Sequence, residues 1–273
     1  MLGKYLDNLK NNGALVHNIT NYVTVNDVAN VLLACGGSPI MADEPEDAVE
    51  ITAICGGLNI NIGTLNSQTI EAMYLTGKKA YELGHKIVLD PVGVGASSLR
   101  TKTALGLMEN IKFDVIKGNI SEIKVLASGN GSVLGVDASI EDKVTLANMD
   151  SSIRFLKRFA KETGSIIVAT GEYDLVCDEN RCFVISNGRK EMSKVTGTGC
   201  QLSAMITAFL VANPKDTLEA TAAAVCAMGV AGEVAWHNME CGDGNSTYRD
   251  RIIDAIFNMT GDSLNIGARY EVR

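Results

Sequence analysis

Short apolar runs alternate with helical stretches along almost the whole of this 273-residue chain, and that order restricts the architecture more than anything else in it. The hydrophobic period keeps switching between about 3.6 and about 2 residues. A helix over Lys4–Asn11 precedes an apolar run at Ala14–His17, and a helix from Thr24 to Ala34 precedes Ser38–Met41. A helix near Asp47–Cys55, a strand Leu58–Ile62, a helix Ser67–Leu83 and a strand Lys86–Leu89 follow. Then come a helix Leu99–Met108, a strand Phe113–Ile116, a short helix after Asn119 and the polar segment Ser128–Asp142. A long helix Lys143–Glu162 and a strand Ser165–Ala169 complete the series. This βα order predicts an α/β fold with a mostly parallel central sheet and helices on both faces. Asp174–Val176 and Cys182–Ile185 read as a hairpin forming an antiparallel edge, and the last third reads as the helices Cys200–Val211, Leu218–Trp236 and Thr247–Met259. Asn265–Arg273 reads as a mobile tail, and with no repeat or composition break the chain is expected to form one domain over residues 1–273.

A net charge of −8 disfavours nucleic acid or an acidic membrane surface as the main partner, so a small ligand is expected. The N-terminus lacks the apolar core of a signal peptide and no apolar run of membrane-spanning length occurs, which predicts a cytoplasmic protein. The seven cysteines lie mostly in apolar contexts and read as reduced, buried thiols. Cys177 and Cys182 flank the hairpin turn, where a cross-strand disulfide is conceivable, although a reducing cytosol favours free thiols. Three histidines far apart in sequence do not suggest a zinc site.

The segment Lys194-Val-Thr-Gly-Thr-Gly-Cys-Gln-Leu-Ser203 places two glycines and a thiol where an apolar helix begins. The unpaired N–H groups of that first turn would open inside the protein, where they need an anion. Gly197 and Gly199 allow close approach, and Cys200 would sit at the rim of the hollow formed by Gly197, Thr198, Gly199 and Cys200. A plain tight connection is the alternative, since Gly-x-Gly before a helix is common.

Open α/β sheets bind ligands beyond the carboxyl ends of their strands. Asp90, in Asp90-Pro91-Val92-Gly93, could hold Mg²⁺ or its waters, or could simply build a rigid turn. Lys117 and Glu122, in Lys117-Gly118-Asn119-Ile120-Ser121-Glu122, pair a cation with a carboxylate, and Asn119 with Glu122 could also form a capping box. Thr170-Gly171-Glu172 could receive phosphate oxygens or turn the chain into the hairpin. His17-Asn18-Ile19-Thr20-Asn21-Tyr22 is unusually polar for a connection, with His17 expected to be hydrogen-bonded structure. Met41 is either core or a flank for a flat ligand. Together these residues form the inventory of phosphoryl transfer.

HNITNYVTVNDVANVLLACGGSPIMADEPED from His17, LDPVGVGASSLR from Leu89, KGNISEI from Lys117 and VTGTGCQLSA from Val195 occur in this order. In them the chain resembles the hydroxyethylthiazole kinase family, thiamine-salvage members of the ribokinase-like superfamily. The resemblance implies transfer of the ATP γ-phosphoryl group to the alcohol of 4-methyl-5-(2-hydroxyethyl)thiazole, with Mg²⁺ required, in a homotrimer whose active sites lie between subunits. By matching position it implies that Met41 and Gly197 contact the thiazole and that Lys117 and Thr170 bind ATP. It further implies that Asp90 and Glu122 hold the metal, directly or through water, and that Cys200 stands where many relatives carry an aspartate base. Lys117 departs from the arginine of many relatives and offers a point charge in place of a planar fork. The segment Cys241–Thr247 is more acidic and polar than the resemblance leads one to expect. Competing readings are a related kinase for a pyrimidine or pyridoxal-type alcohol, a non-catalytic thiazole or nucleotide sensor, and a hydrolase using Cys200 with His17 or His237.

Overall fold

In the computed structural model, which describes residues 1–129 and 143–273, the expected alternation is present. The first half of the chain runs α1 (Gly3–Asn12), β1 (Leu15–Ile19), α2 (Val25–Cys35), β2 (Ser38–Met41), α3 (Pro45–Ile54) and β3 (Gly57–Asn61). It continues with α4 (Ser67–Leu83), β4 (Lys86–Asp90), α5 (Ser98–Asn110), β5 (Val115–Asn119) and α6 (Ile120–Gly129). The second half runs α7 (Met149–Thr163), β6 (Ile166–Thr170), β7 (Asp174–Cys177), β8 (Cys182–Ile185), α8 (Thr198–Ala212), α9 (Thr217–His237), α10 (Asn245–Asn258), α11 (Gly261–Gly267) and β9 (Tyr270–Val272). Local chemistry sets several helix starts. Pro45 fills the first position of α3 while the Glu44 carboxylate accepts from the N–H groups of Glu46 and Asp47, and Asn66 with Thr69 forms a capping box on α4.

Among the described residues nine strands form one sheet in the order β2-β1-β3-β4-β5-β6-β7-β8-β9. The first six are parallel, and β7, β8 and β9 are antiparallel. Strand alternation feeds two hydrophobic layers. Val88, Val115, Val168 and Val176 point to the layer of α1, α2, α8, α9 and α10, whereas Ile87, Leu89, Ile116 and Ile167 point to that of α3–α7. Helix α9 is long and apolar enough to cross a membrane by composition, but 83% of its apolar window is buried inside the protein, as expected of a core helix. The chain winds outward from β1 to β2 and then returns to the other side of β1 to lay down β3. The carboxyl ends around β1 and β3 are therefore a switch point, the usual ligand crevice of such sheets.

Three expectations need correction. The helix expected over Lys143–Glu162 starts only at Met149. Asn148 turns its side chain back on the preceding residues, accepting from Thr145 N at 2.7 Å and donating to Lys143 O at 2.9 Å, which competes with helical bonding there. Asn265–Arg273 is not a tail: it contains the end of α11 and strand β9, which closes the edge of β8 with Arg273 N on Cys182 O at 2.9 Å. The pattern Tyr-Glu-Val is too short to carry a strand period. Cys177 and Cys182, directly opposite in the β7–β8 register, form a disulfide instead of remaining thiols. Of the segment Ser128–Asp142, residues 130–142 lie outside the described part.

Candidate active site

Register assembles the crevice. Asn61 lies opposite Asp90 across β3 and β4, and Leu89 lies opposite Ile116, so the next residues along, Asp90 and Lys117, share one face. Asn119 lies opposite Thr170, and Asn18 opposite both Met41 and Asn59. Met41 and Thr170 thus stand at the two ends of a row of six parallel strands, five inter-strand steps or about 24 Å apart. Helix α8 starts between them.

Gly197 precedes that helix with φ 89°, a left-handed conformation, and a Cβ there would strike the Thr24 methyl group. Among the described residues no side chain caps the turn, so the first N–H groups of α8 open into the crevice. A Cβ on Gly199 would lie 3.3 Å from Lys117 Nζ, so the second glycine is what lets the ammonium approach the turn. Lys117 donates to Asp90 Oδ1 and to Gly199 O, both at 2.9 Å. Burial alone would lower the affinity of Lys117 for its proton, but Asp90, Cys200 and Glu122 outweigh it and hold the group above the ordinary lysine value.

Asp90 is fully buried, and its other oxygen accepts from Asn61 Nδ2 at 2.8 Å and Ser203 Oγ at 2.9 Å. Glu122 does cap α6: its Oε2 accepts from Asn119 N at 2.8 Å while Asn119 Oδ1 accepts from Glu122 N at 2.9 Å. Its second oxygen, Oε1, accepts from Gly93 N at 2.8 Å and ties the β4–α5 loop to β5. Thr170 Oγ1 lies 3.4 Å from Gly118 O. Cys200 is 8% exposed, and its Sγ accepts from Asn21 Nδ2 at 3.2 Å.

His17 is buried and lowered from the ordinary histidine value by that burial. Its Nε2 meets Ala42 O and its Nδ1 meets Thr52 Oγ1, both at 2.8 Å, so it pins the loop after β2 and has no nitrogen left for Cys200. His237 is exposed at the end of α9. Neither supports the hydrolase reading. A cavity of about 590 Å³ opens at the amino ends of the strands, lined by Lys86, Phe113, Asp114 and Ser165, but it holds none of these residues.

Sequence reading did not single out Asn61, Ser203 or Arg100. Asn59 and Asn61 alternate on one face of an otherwise apolar strand, and Ser203 stands three residues after Cys200 on an apolar helix, so both left a trace. Arg100, which donates to Gly63 O at 2.6 Å and to Val92 O at 3.4 Å, left none, because its partners are carbonyls of two distant loops.

A mostly parallel sheet covered on both faces, with antiparallel strands at one edge, is the fold of the ribokinase-like kinases. A pyridoxal kinase from Staphylococcus aureus shares this fold at a TM-score of 0.60 and 16% identity, covering 95% of this chain and 98% of its own. A hydroxyethylthiazole kinase from Pyrococcus horikoshii superposes at a TM-score of 0.88 with 31% identity, over 100% of this chain and 98% of its own. The hydroxyethylthiazole kinase of Clostridium acetobutylicum is 57% identical over 271 residues, 99% of either chain. The model of the hydroxyethylthiazole kinase family matches residues 6–262, and the chain belongs to that family.

Proposed function

We propose that the protein transfers the γ-phosphoryl group of ATP to the hydroxyl of 4-methyl-5-(2-hydroxyethyl)thiazole, a step of thiamine salvage. The observation that carries this is the uncapped start of α8, with Cys200 at its first turn and the Lys117–Asp90 pair against Gly199. The hydroxyl oxygen forms the new P–O bond as the bond from the γ-phosphorus to its bridging oxygen breaks, and ADP departs. Amides around Gly197, Thr198, Gly199 and Cys200, together with Lys117, neutralise charge on the transferring group. Cys200 Sγ orients the hydroxyl and takes its proton. Met41 and Gly197 contact the thiazole, and Lys117 and Thr170 bind the nucleotide.

Among the described residues no three His, Cys, Asp or Glu side chains gather around one point, so a metal would not sit in an all-protein cage. Mg²⁺ prefers to keep several waters and to bind phosphates with one or two carboxylates. Glu122 fits that habit, because among the described residues each of its oxygens accepts a single backbone bond and retains a lone pair for a metal-bound water, and Asp90 Oδ1 accepts there from Lys117 alone. A bound Mg²⁺ would supply charge neutralisation on the phosphates.

The active form is a homotrimer with sites between subunits. Supporting it, Met41 lies on the edge strand β2, and Tyr22, Val23 and Ile54 on the flanking elements are exposed apolar side chains. Sedimentation should give about three times the chain mass of 29.0 kDa. The deciding experiment is ADP formation from Mg·ATP by the purified protein. It should require the thiazole alcohol and fail with pyridoxal or a hydroxymethylpyrimidine; ADP release independent of the thiazole, or none at all, refutes the reading.

A further inference from the structure

Two buried amides connect Asp90 to Cys200, and their orientations follow from the ends of the chain inward. Asp90 is ion-paired with Lys117, so its Oδ2 only accepts, and the Asn61 group 2.8 Å away must be its NH₂. Independently, the N–H of Gly63 donates at 2.9 Å to the other end of the Asn61 amide, which is therefore the oxygen. That oxygen also faces Asn21 at 3.0 Å, so Asn21 turns its NH₂ toward Asn61. The same nitrogen lies 3.2 Å from Cys200 Sγ and donates its second proton there, while Asn21 Oδ1 accepts from the Thr24 hydroxyl at 3.1 Å. Reversing either amide would set two acceptors or two donors against each other inside the protein.

From this polarity we infer that Asn21 is a positioning residue for Cys200, presenting a fixed N–H donor to the sulfur under the direction of Asp90 through Asn61. The inference rests on the proposed role of Cys200 in phosphoryl transfer. A sulfur that receives a hydrogen bond is held as an acceptor: in the thiolate form its charge is stabilised, and its remaining lone pairs are left toward the crevice. The charged groups facing the sulfur are Lys117 from β5 and, behind it, Asp90 from β4. Asn21 itself is 4% exposed, sits early in the β1–α2 connection and is closed in by Thr24 and Gly63. Its amide therefore has little freedom to turn away.

The test is the rate of alkylation of Cys200 by iodoacetamide against pH, followed on its own peptide in the full-length protein carrying Cys241→Ser. That change removes the exposed free cysteine, while Cys35, Cys55 and Cys226 are buried, with thiols pushed up to about 12, 11 and 12 by burial. Asn21→Leu, of similar size but without a donor, should slow alkylation at neutral pH about tenfold or more and displace the rate profile to higher pH. Asn21→Asp, of the same shape but presenting an acceptor, should displace it further. Unchanged rate and profile in both variants overturn the inference, and if Asn21→Leu does not fold, Asn21→Asp alone decides. Because alkylation needs no substrate, a response to Asn21 alongside thiazole-independent ADP release would refute only the kinase reading.

Discussion

Two of the three ammonium protons of Lys117 are committed, one to Asp90 and one to the carbonyl of Gly199, and only the third remains for a ligand. That economy ties fold stability to the site. Lys117→Met should leave a buried carboxylate without its counterion and cost about 3–5 kcal/mol in urea unfolding, and adding Asp90→Asn should recover much of the loss. At the neighbouring position, Cys200→Asp should keep measurable thiazole-dependent turnover. Asn21 would donate to a carboxylate as it does to sulfur, and Lys117 with the start of α8 already suits an anion there. A folded Cys200→Asp protein with no turnover would show that the thiol does more than hold charge. Most of these residues stood out in the sequence because each closes a strand or opens a helix. Asn61 and Ser203 did not, since what matters is their convergence on Asp90 from 29 and 113 residues away.

The antiparallel edge gives a second measurable property. At the start of β7, Asp174 is pushed up to about 7 by burial, against the opposing pull of the Gly171 N–H at 2.9 Å and of Lys117. Its ordinary value is 3.8, so between that and about 7 the unfolded chain gives up a proton that the folded one keeps. The contribution of Asp174 to stability therefore falls as pH rises through this window. Asp174→Asn, which retains an acceptor for Gly171, should flatten the fall in denaturation curves taken from pH 4.5 to 8; an unchanged slope would place its cause elsewhere. Elements with a full period of side chains were readable: α4 over Ser67–Leu83 agrees with its sequence reading at both ends. What escaped was decided locally by a side chain, as at Asn148, or by a distant partner, as at β9, whose three residues form a strand only because β8 has an open edge.

At the scale of the whole molecule the two chain ends are woven into the fold. Arg269 donates to both oxygens of Glu233 on α9, at 2.9 and 2.6 Å, and its backbone, with that of Arg273, pairs with β8. Removing residues 269–273 should strip at least three backbone hydrogen bonds worth about 1 kcal/mol each, lower the melting temperature and leave an exposed edge prone to self-association, visible by light scattering. A truncated protein with unchanged melting would assign that edge no part in stability. The opposite end depends on the same region. Lys10 donates to Phe257 O at 2.8 Å and Met259 O at 2.6 Å beside the end of α10, Asp7 accepts from Gly261 N at 3.0 Å, and Asn265 accepts from Gly3 N at 2.7 Å. Helix α1 is translated more than 240 residues before these partners. Its apolar side, with Leu6 and Leu9, belongs to the core layer of α8 and α9, so it lacks most of its packing until those helices have been made, and the nascent chain offers chaperones a standing target until then.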